Sequence, residues 1–285
     1  GQRVLVGSGD YSGETNAANL KLWETETGRL VREFDGHELP VRSVAVSPDG
    51  RYALGGSQYP YKNPDPEGAN GDLILWDLET GELVHRFTTT DDITAITFNT
   101  DGSHAVTASL YGANVTLWDV STDSPTFGQA LHRFEAQEHG FFDVVFGPGE
   151  DTVLGASDDT NVYLWDIETG EELRRFAAAD NQWCVAVTPE GRHLVTGDTS
   201  GMVTVWDFST GEEVHRFQLR ALVAAVRIAP DGNTVFTVGS EGPVRQWQMA
   251  DWSLDDLLTW IENNRYIRDF TCRERAQYRI EPLCE

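Results

Sequence analysis

The sequence predicts an all-β protein in which an antiparallel sheet of four short strands recurs six times. Runs rich in β-branched and aromatic residues alternate with turns rich in Gly, Asp, Asn and Pro, and no helical period lies between them. A tryptophan closes one strand of each copy, at intervals near forty residues. These six tryptophans are Trp23, Trp76, Trp118, Trp165, Trp206 and Trp247. A period of this length identifies a repeat protein in which each copy is one small sheet.

Two turns recur as regularly as the strands. The turn between the first and second strands ends in an acidic residue and glycine, at 47–50, 99–102, 188–191 and 229–232. Proline presets φ in three of these turns, and glycine accepts a positive φ. A second turn of the form Asp-x-x-Thr-Gly follows the tryptophan at 77–81, 166–170 and 207–211. Each sheet is therefore predicted to be a series of hairpins.

With these motifs, residues 1–248 resemble the WD-repeat family of β-propellers. Trp-Asp occurs at four repeat positions, and Gly36-His37 and His139-Gly140 stand upstream of two of them. The resemblance implies a propeller of four-stranded antiparallel blades, six of them visible and six or seven in the intact protein. It also implies a hydrogen-bonded tetrad in each blade. Only the fourth repeat supplies all four residues, and Asn70 stands at the Asp position of the second. The predicted tetrad is His139, Ser157, Asp159 and Trp165.

The two ends of the chain differ from the regular repeat. Alignment of the repeats places residue 1 inside a turn, so the innermost strand of the first blade is missing, and we interpret the chain as a piece of a longer polypeptide. In residues 249–285, Leu254, Leu257, Leu258 and Ile261 recur at helical spacing and predict a short helical cap. This tail resembles the closing segment of WD-repeat arrays in large bacterial signalling proteins, including kinases and switch ATPases.

Composition and charge restrict the classes of partner. The chain has 46 Asp and Glu against 21 Lys and Arg, a net charge of −25. Such a field disfavours nucleic acid and favours a basic partner, although an acidic surface also serves solubility or adaptation to salt. No apolar stretch approaches the ~20 residues of a membrane span. The three cysteines have no metal-ligand spacing, and their odd number favours a reducing cytoplasm. We expect no cofactor.

The resemblance places the connections that lead into the inner strands, and those that precede the tryptophan strand, on one face. The longest of them carry tyrosines, which provide contact area at low entropic cost and are typical of binding loops. The alternative is that these tyrosines pack on their own loops. Trp183 is the one blade tryptophan outside the repeat position. The predicted contact residues are Tyr11, Leu39, Tyr59, Tyr61, Lys62, Tyr111, Phe141, Trp183, Arg220 and Leu222.

The sequence contains no motif for nucleophilic hydrolysis, phosphate binding, zinc proteolysis or calcium binding. We therefore predict a non-catalytic module that binds protein or peptide on the loop-bearing face, as a sensor or scaffold of a larger signalling or defence protein. Two alternatives stay open. One is an enzyme with its site in the central channel, and the other is an intramolecular role in which the ring holds an upstream effector domain inactive.

Overall fold

The computed structural model describes residues 2–9, 19–58, 71–89, 91–136 and 139–249. The contacts divide the chain into one compact unit over 1–247 and a second over 248–285. The helices predicted in the tail lie outside the described residues. Within the described ranges, no helix is long and apolar enough to cross a membrane.

Twenty-two strands form six antiparallel sheets in the described ranges. Four sheets have four strands, and the first and last have three. The all-β class and the repeated sheet are therefore confirmed. The strands are β1 (Arg3–Ser8), β2 (Asn19–Glu24) and β3 (Leu30–Asp35); β4 (Val41–Val46), β5 (Tyr52–Ser57), β6 (Leu73–Asp77) and β7 (Leu83–Phe87); β8 (Ala95–Phe98), β9 (His104–Ser109), β10 (Asn114–Asp119) and β11 (Ala130–Glu135); β12 (Phe141–Phe146), β13 (Thr152–Ser157), β14 (Asn161–Asp166) and β15 (Glu172–Ala177); β16 (Gln182–Val187), β17 (His193–Asp198), β18 (Met202–Asp207) and β19 (Glu213–Gln218); and β20 (Val223–Ile228), β21 (Thr234–Gly239) and β22 (Arg245–Gln248).

The sheets are arranged as blades around a channel. In each complete blade the strands are paired in chain order, so the first strand is innermost and the fourth is outermost. The innermost strands β4, β8, β12, β16 and β20 contact one another in succession. In the first sheet, β1 pairs with β2 in the same way as the second strand of a complete blade pairs with the third. Among the described residues, this sheet has no innermost strand.

Aromatic contacts join each blade to the next. The phenylalanine of an outer strand packs against the tryptophan of the following blade, with ring centroids 4.8 to 6.3 Å apart. This contact explains why a phenylalanine of the outer strand and the tryptophan recur with the same period, because one residue of each pair lies on each side of an interface. The five pairs are Phe34–Trp76, Phe87–Trp118, Phe134–Trp165, Phe176–Trp206 and Phe217–Trp247.

The aspartate that follows the tryptophan closes the outer hairpin. Asp77 Oδ1 accepts hydrogen bonds from the backbone N–H groups of Glu79 and Thr80, at 2.8 and 2.9 Å. Asp207 Oδ1 accepts hydrogen bonds from the hydroxyl of Ser209 at 2.7 Å and the backbone N–H of Thr210 at 2.8 Å, and these bonds lower its pKa to about 2. In the repeated Trp-Asp pair, the tryptophan thus contacts the preceding blade and the aspartate caps the outer turn.

The tetrad predicted for the fourth blade was wrong. The side chain of His139 is half exposed and lies 3.3 Å from Asp158 instead of reaching Ser157. Asp159 accepts a hydrogen bond from Tyr163 at 2.5 Å. The ring of Phe141 packs edge-on against Trp165, with ring centroids 5.5 Å apart. Phe141 therefore fills the space beside the indole.

The second blade brings a His, a Ser, an Asp and the Trp together, with hydrogen bonds among the first three. His37 is hydrogen-bonded to Asp72 and packs on Trp76, with ring centroids 5.0 Å apart. Ser57 Oγ accepts a bond from the backbone N–H of Asp72 at 2.8 Å. Asp72 follows a long insertion, so the repeat alignment placed Asn70 at its position. Burial raises the pKa of Asp72, but the hydrogen bond and charge of His37 outweigh burial and lower it.

We expect Trp165→Ala to lower the free energy of unfolding by about 3–5 kcal/mol, because it deletes a buried indole at a blade interface. Urea denaturation of the full chain measures this loss. Phe236→Ala is the matched control, since Phe236 is an exposed aromatic residue that belongs to none of the five Phe–Trp pairs, and its loss is expected to be much smaller. Equal losses in the two variants would contradict the assignment of Trp165 to the interface.

The depressed pKa of Asp207 predicts a pH dependence. A carboxylate whose pKa is lower in the folded state stabilises the fold above its ordinary pKa of 3.8, and this contribution is lost as pH falls towards 2. We therefore expect Asp207→Asn to be less stable than the parent chain at pH 7. The difference should shrink below pH 4 in urea denaturation. A difference that stayed constant down to pH 2 would show that the charge of Asp207 has no role.

Candidate functional site at the channel mouth

Backbone irregularities direct one side chain from each inner strand towards the mouth of the channel. Strands β4, β12, β16 and β20 each carry a register shift at their second residue, with one extra residue opposite the neighbouring strand. A β-bulge turns its side chain out of the regular alternation. Thr94 holds the corresponding place immediately before β8. The bulged residues are Arg42, Phe142, Trp183 and Ala224.

These side chains meet in a cavity of about 480 Å³ at the ends where the inner strands begin. The cavity therefore lies on the face that carries the connections into the inner strands, the face predicted to bind. Its wall combines aromatic, small and charged groups. The lining residues are Arg42, Ser43, Thr94, Ala95, Phe142, Asp143, Trp183, Cys184, Leu222, Ala224, Ala225, Arg227 and Ser240.

Three side chains stack in the mouth. Phe142 and Trp183 are nearly parallel, with ring centroids 4.3 Å apart and an interplanar angle of 24°. The guanidinium carbon of Arg42 lies 5.9 Å from the centroid of Trp183. Arg42 belongs to the second blade and Trp183 to the fifth, so the stack joins blades that are not neighbours. It provides a flat surface that is apolar at one end and cationic at the other.

Polar groups on the wall are engaged by the fold. The carboxylate of Asp143 accepts hydrogen bonds from the N–H groups of Val144 at 3.0 Å and Val185 at 3.1 Å. Burial raises the pKa of Asp143, while the charge of Arg227 opposes the rise. The thiol of Cys184 lies 3.5 Å from the carbonyl oxygen of Val223, and burial raises its pKa.

The hydroxyl of Thr94 donates to the carbonyl oxygen of Phe141 at 2.7 Å and links the third blade to the fourth. No group of three or more metal-ligating side chains occurs among the described residues.

The structure places the predicted contact residues in different surroundings. Trp183 and Leu222 line the cavity. Arg220 is exposed beside a smaller cavity of about 330 Å³ in the last blade. Leu39 is half buried ahead of β4, and Tyr111 is 56 % exposed in a turn of the third blade. Their role in binding stays a prediction.

Phe141 was wrongly predicted to be a contact residue. Its side chain is fully buried in the core with Trp165 and Tyr163. Successive residues of a strand point to opposite sides, and the bulge directs Phe142 to the cavity instead. Four predicted contact residues lie outside the described residues: Tyr11, Tyr59, Tyr61 and Lys62.

Four residues that line the cavity were not predicted from the sequence: Arg42, Phe142, Asp143 and Arg227. One signal could have identified the first two. When the inner strands are aligned as VRSVAV, FFDVVF, QWCVAV and VAAVRI, the second residue varies in chemistry while the fourth is always valine. Variation at one position of a repeated strand indicates a surface that the architecture does not constrain. Asp143 and Arg227 carry no comparable signal, because only folding brings their strands together.

Ring architecture, repeated Trp-Asp turns and a lined channel mouth define a β-propeller with a cavity on one face. The model of the family "WD domain, G-beta repeat" matches residues 28–77, 81–119, 128–166 and 170–207, more than half of the chain. The chain therefore belongs to the WD-repeat family.

Comparison with curated proteins gives eukaryotic relatives. The chain is similar to the pre-rRNA-processing protein crb3/ipi3 of Schizosaccharomyces pombe, with 26 % identity over 57 % of this chain and 36 % of that protein. It is 25 % identical to eukaryotic translation initiation factor 3 subunit I of Saccharomyces cerevisiae over 68 % of this chain and 54 % of that protein. It is 23 % identical to human pre-mRNA-processing factor 17 over 65 % of this chain and 30 % of that protein. The chain thus spans about a third to a half of the length of these relatives.

We expect Asp143→Asn to change the pH dependence of stability. A carboxyl group whose pKa is raised in the folded state contributes stability at low pH that is lost as pH rises. The parent chain should therefore gain stability relative to the variant as pH falls from 7 to 4. Urea denaturation of both proteins across this range measures the difference. A constant difference would show that Asp143 keeps its ordinary pKa.

Proposed function

We propose that this chain is a non-catalytic scaffold module that binds a protein or peptide at the mouth of the propeller channel. The observation that carries the proposal is the stack of Phe142, Trp183 and Arg42 beside a cavity of about 480 Å³. Aromatic residues and arginine are the side chains most often found as anchors in protein interfaces. The rigid strands hold them in place before a partner arrives, so little ordering is needed on binding.

The relatives support an interaction role at a coarse level. Their names place them in rRNA processing, translation initiation and mRNA processing. We propose that the chain likewise serves a larger assembly or polypeptide. The resemblance of the tail extends this proposal to a signalling or defence protein of the cytoplasm. The charge of −25 would speed encounter with a partner that carries basic segments.

Both alternative hypotheses have weaker support. An enzyme in the channel would use titratable groups of the wall, but Asp143 accepts two backbone hydrogen bonds and burial keeps the thiol of Cys184 protonated. Those contacts suit structural roles. An autoinhibitory role would use the same mouth with an upstream domain as its occupant, and it is therefore a special case of the proposed binding.

Selection of peptides tests the proposal. Random twelve-residue peptides displayed on phage are selected on the full chain, and the enriched peptides are titrated by calorimetry. We expect Trp183→Ala to weaken their binding at least about tenfold, because the variant removes the central ring of the stack.

Phe236→Ala is the matched control, since Phe236 is an exposed aromatic residue that does not line the cavity. It should leave the affinity unchanged. Melting temperatures of both variants should remain close to that of the parent. Enriched peptides that bind the Trp183 variant as tightly as the parent would place binding elsewhere and refute the proposed site.

A further inference from the structure

The channel mouth has a local charge opposite to that of the whole chain. Among the residues that line the cavity, only Arg42, Asp143 and Arg227 carry charged side chains. Two cations against one carboxylate leave one positive charge, in a protein whose net charge is −25. An uncompensated cation on the wall of a concave site attracts an anionic group of matching size.

Asp143 is already used by the fold. It accepts hydrogen bonds from two backbone N–H groups, and the charge of Arg227 acts on it. One N–H of Arg227 in turn donates to the carbonyl oxygen of Val226 at 2.7 Å. The excess positive charge of the cavity is therefore assigned to Arg42.

The guanidinium of Arg42 lies against Trp183, and its N–H groups have no hydrogen-bond acceptor among the described residues. Its central carbon lies over the ring of Trp183, 5.9 Å from the centroid. No carboxylate of the described residues lies within 4.0 Å of it, and no hydrogen-bond acceptor among them takes its protons. A guanidinium whose N–H donors are unused has its planar fork available for a carboxylate.

We propose that the channel mouth binds a peptide in which an aspartate or glutamate stands next to an apolar residue. The carboxylate would accept hydrogen bonds from Arg42, and the apolar side chain would pack against Trp183 and Phe142. This proposal rests on the proposed function and specifies its ligand. A single excess positive charge matches a carboxylate, whereas a phosphate dianion would leave negative charge beside Asp143.

A peptide series tests this specificity. Four nine-residue peptides with leucines beside the central position differ only at that position, which is glutamate, glutamine, lysine or phosphoserine. They are titrated into the full chain by calorimetry at 150 mM salt, where the Debye length of about 8 Å screens the acidic surface elsewhere. We expect the glutamate peptide to bind at least about tenfold more tightly than the lysine peptide, and more tightly than the other two.

Arg42→Gln is the diagnostic variant. It should reduce the affinity for the glutamate peptide to that for the glutamine peptide and leave the glutamine peptide unaffected. Arg216→Gln removes the same charge from an outer strand, where Arg216 pairs with Glu213 at 2.5 Å, and should change neither affinity. If Arg42→Gln lowers the melting temperature, Arg42→Lys replaces it. Lysine keeps the charge without the planar fork, so its affinity for the glutamate peptide should be intermediate.

Any one of three results would overturn this inference. The lysine or phosphoserine peptide could bind as tightly as the glutamate peptide, or more tightly. Arg42→Gln could leave the affinity for the glutamate peptide unchanged, or the glutamate peptide could fail to bind the parent chain at 1 mM. Binding of all four peptides that depends on Trp183 would refute the specificity for carboxylate and leave the proposed function intact. Failure of phage selection to yield any peptide dependent on Trp183 would refute the proposed function itself.

Discussion

The structure depends on one repeated contact, between the phenylalanine that ends an outer strand and the tryptophan of the next blade. Five such pairs follow one another from Phe34–Trp76 to Phe217–Trp247. An aromatic pair contributes about 0.5–1.5 kcal/mol beyond the burial of its area. Since each pair joins two sheets, a change in the spacing of either residue would open an interface. The period near forty residues is therefore a consequence of packing between blades.

The inner strands also contact one another in succession around the channel, and their positions differ in how strongly the fold constrains them. Their fourth residue is valine in β4, β12, β16 and β20. Their second residue is bulged out of the ladder and lines the channel mouth. This position varies freely, as arginine, phenylalanine, tryptophan or alanine. The fold thus supplies several equivalent positions around one mouth, and their chemistry determines what the mouth can recognise.

The sequence predicts the features that are local and repeated. Turns, strands and buried tryptophans depend on residues close together in the chain, and each occurs several times. The hydrogen-bonded His, Ser and Asp beside a tryptophan were predicted in the wrong blade because these residues are distant in sequence: Asp72 follows an insertion that displaces it from the repeat alignment. Phe141 was mistaken for Phe142 because a bulge changes the alternation of side chains, and a bulge leaves no clear trace in one strand. The pairing of Asp143 with the backbone of β16 exists only after folding.

The opposite signs of the surface and of the channel mouth have a physical consequence for any partner. At distances beyond the Debye length of about 8 Å the acidic surface is screened, so the charge of −25 acts chiefly on the rate of encounter. At contact, the charges that lie closest to the bound partner dominate its electrostatic energy. At the channel mouth, Arg42 is the charged side chain that has no ion-pair or hydrogen-bond partner among the described residues. A partner suited to both would carry basic residues around a short acidic and apolar core. Such a pattern would be disfavoured elsewhere on this surface, where a carboxylate meets like charge. The cationic mouth would therefore confer specificity because the rest of the protein is acidic.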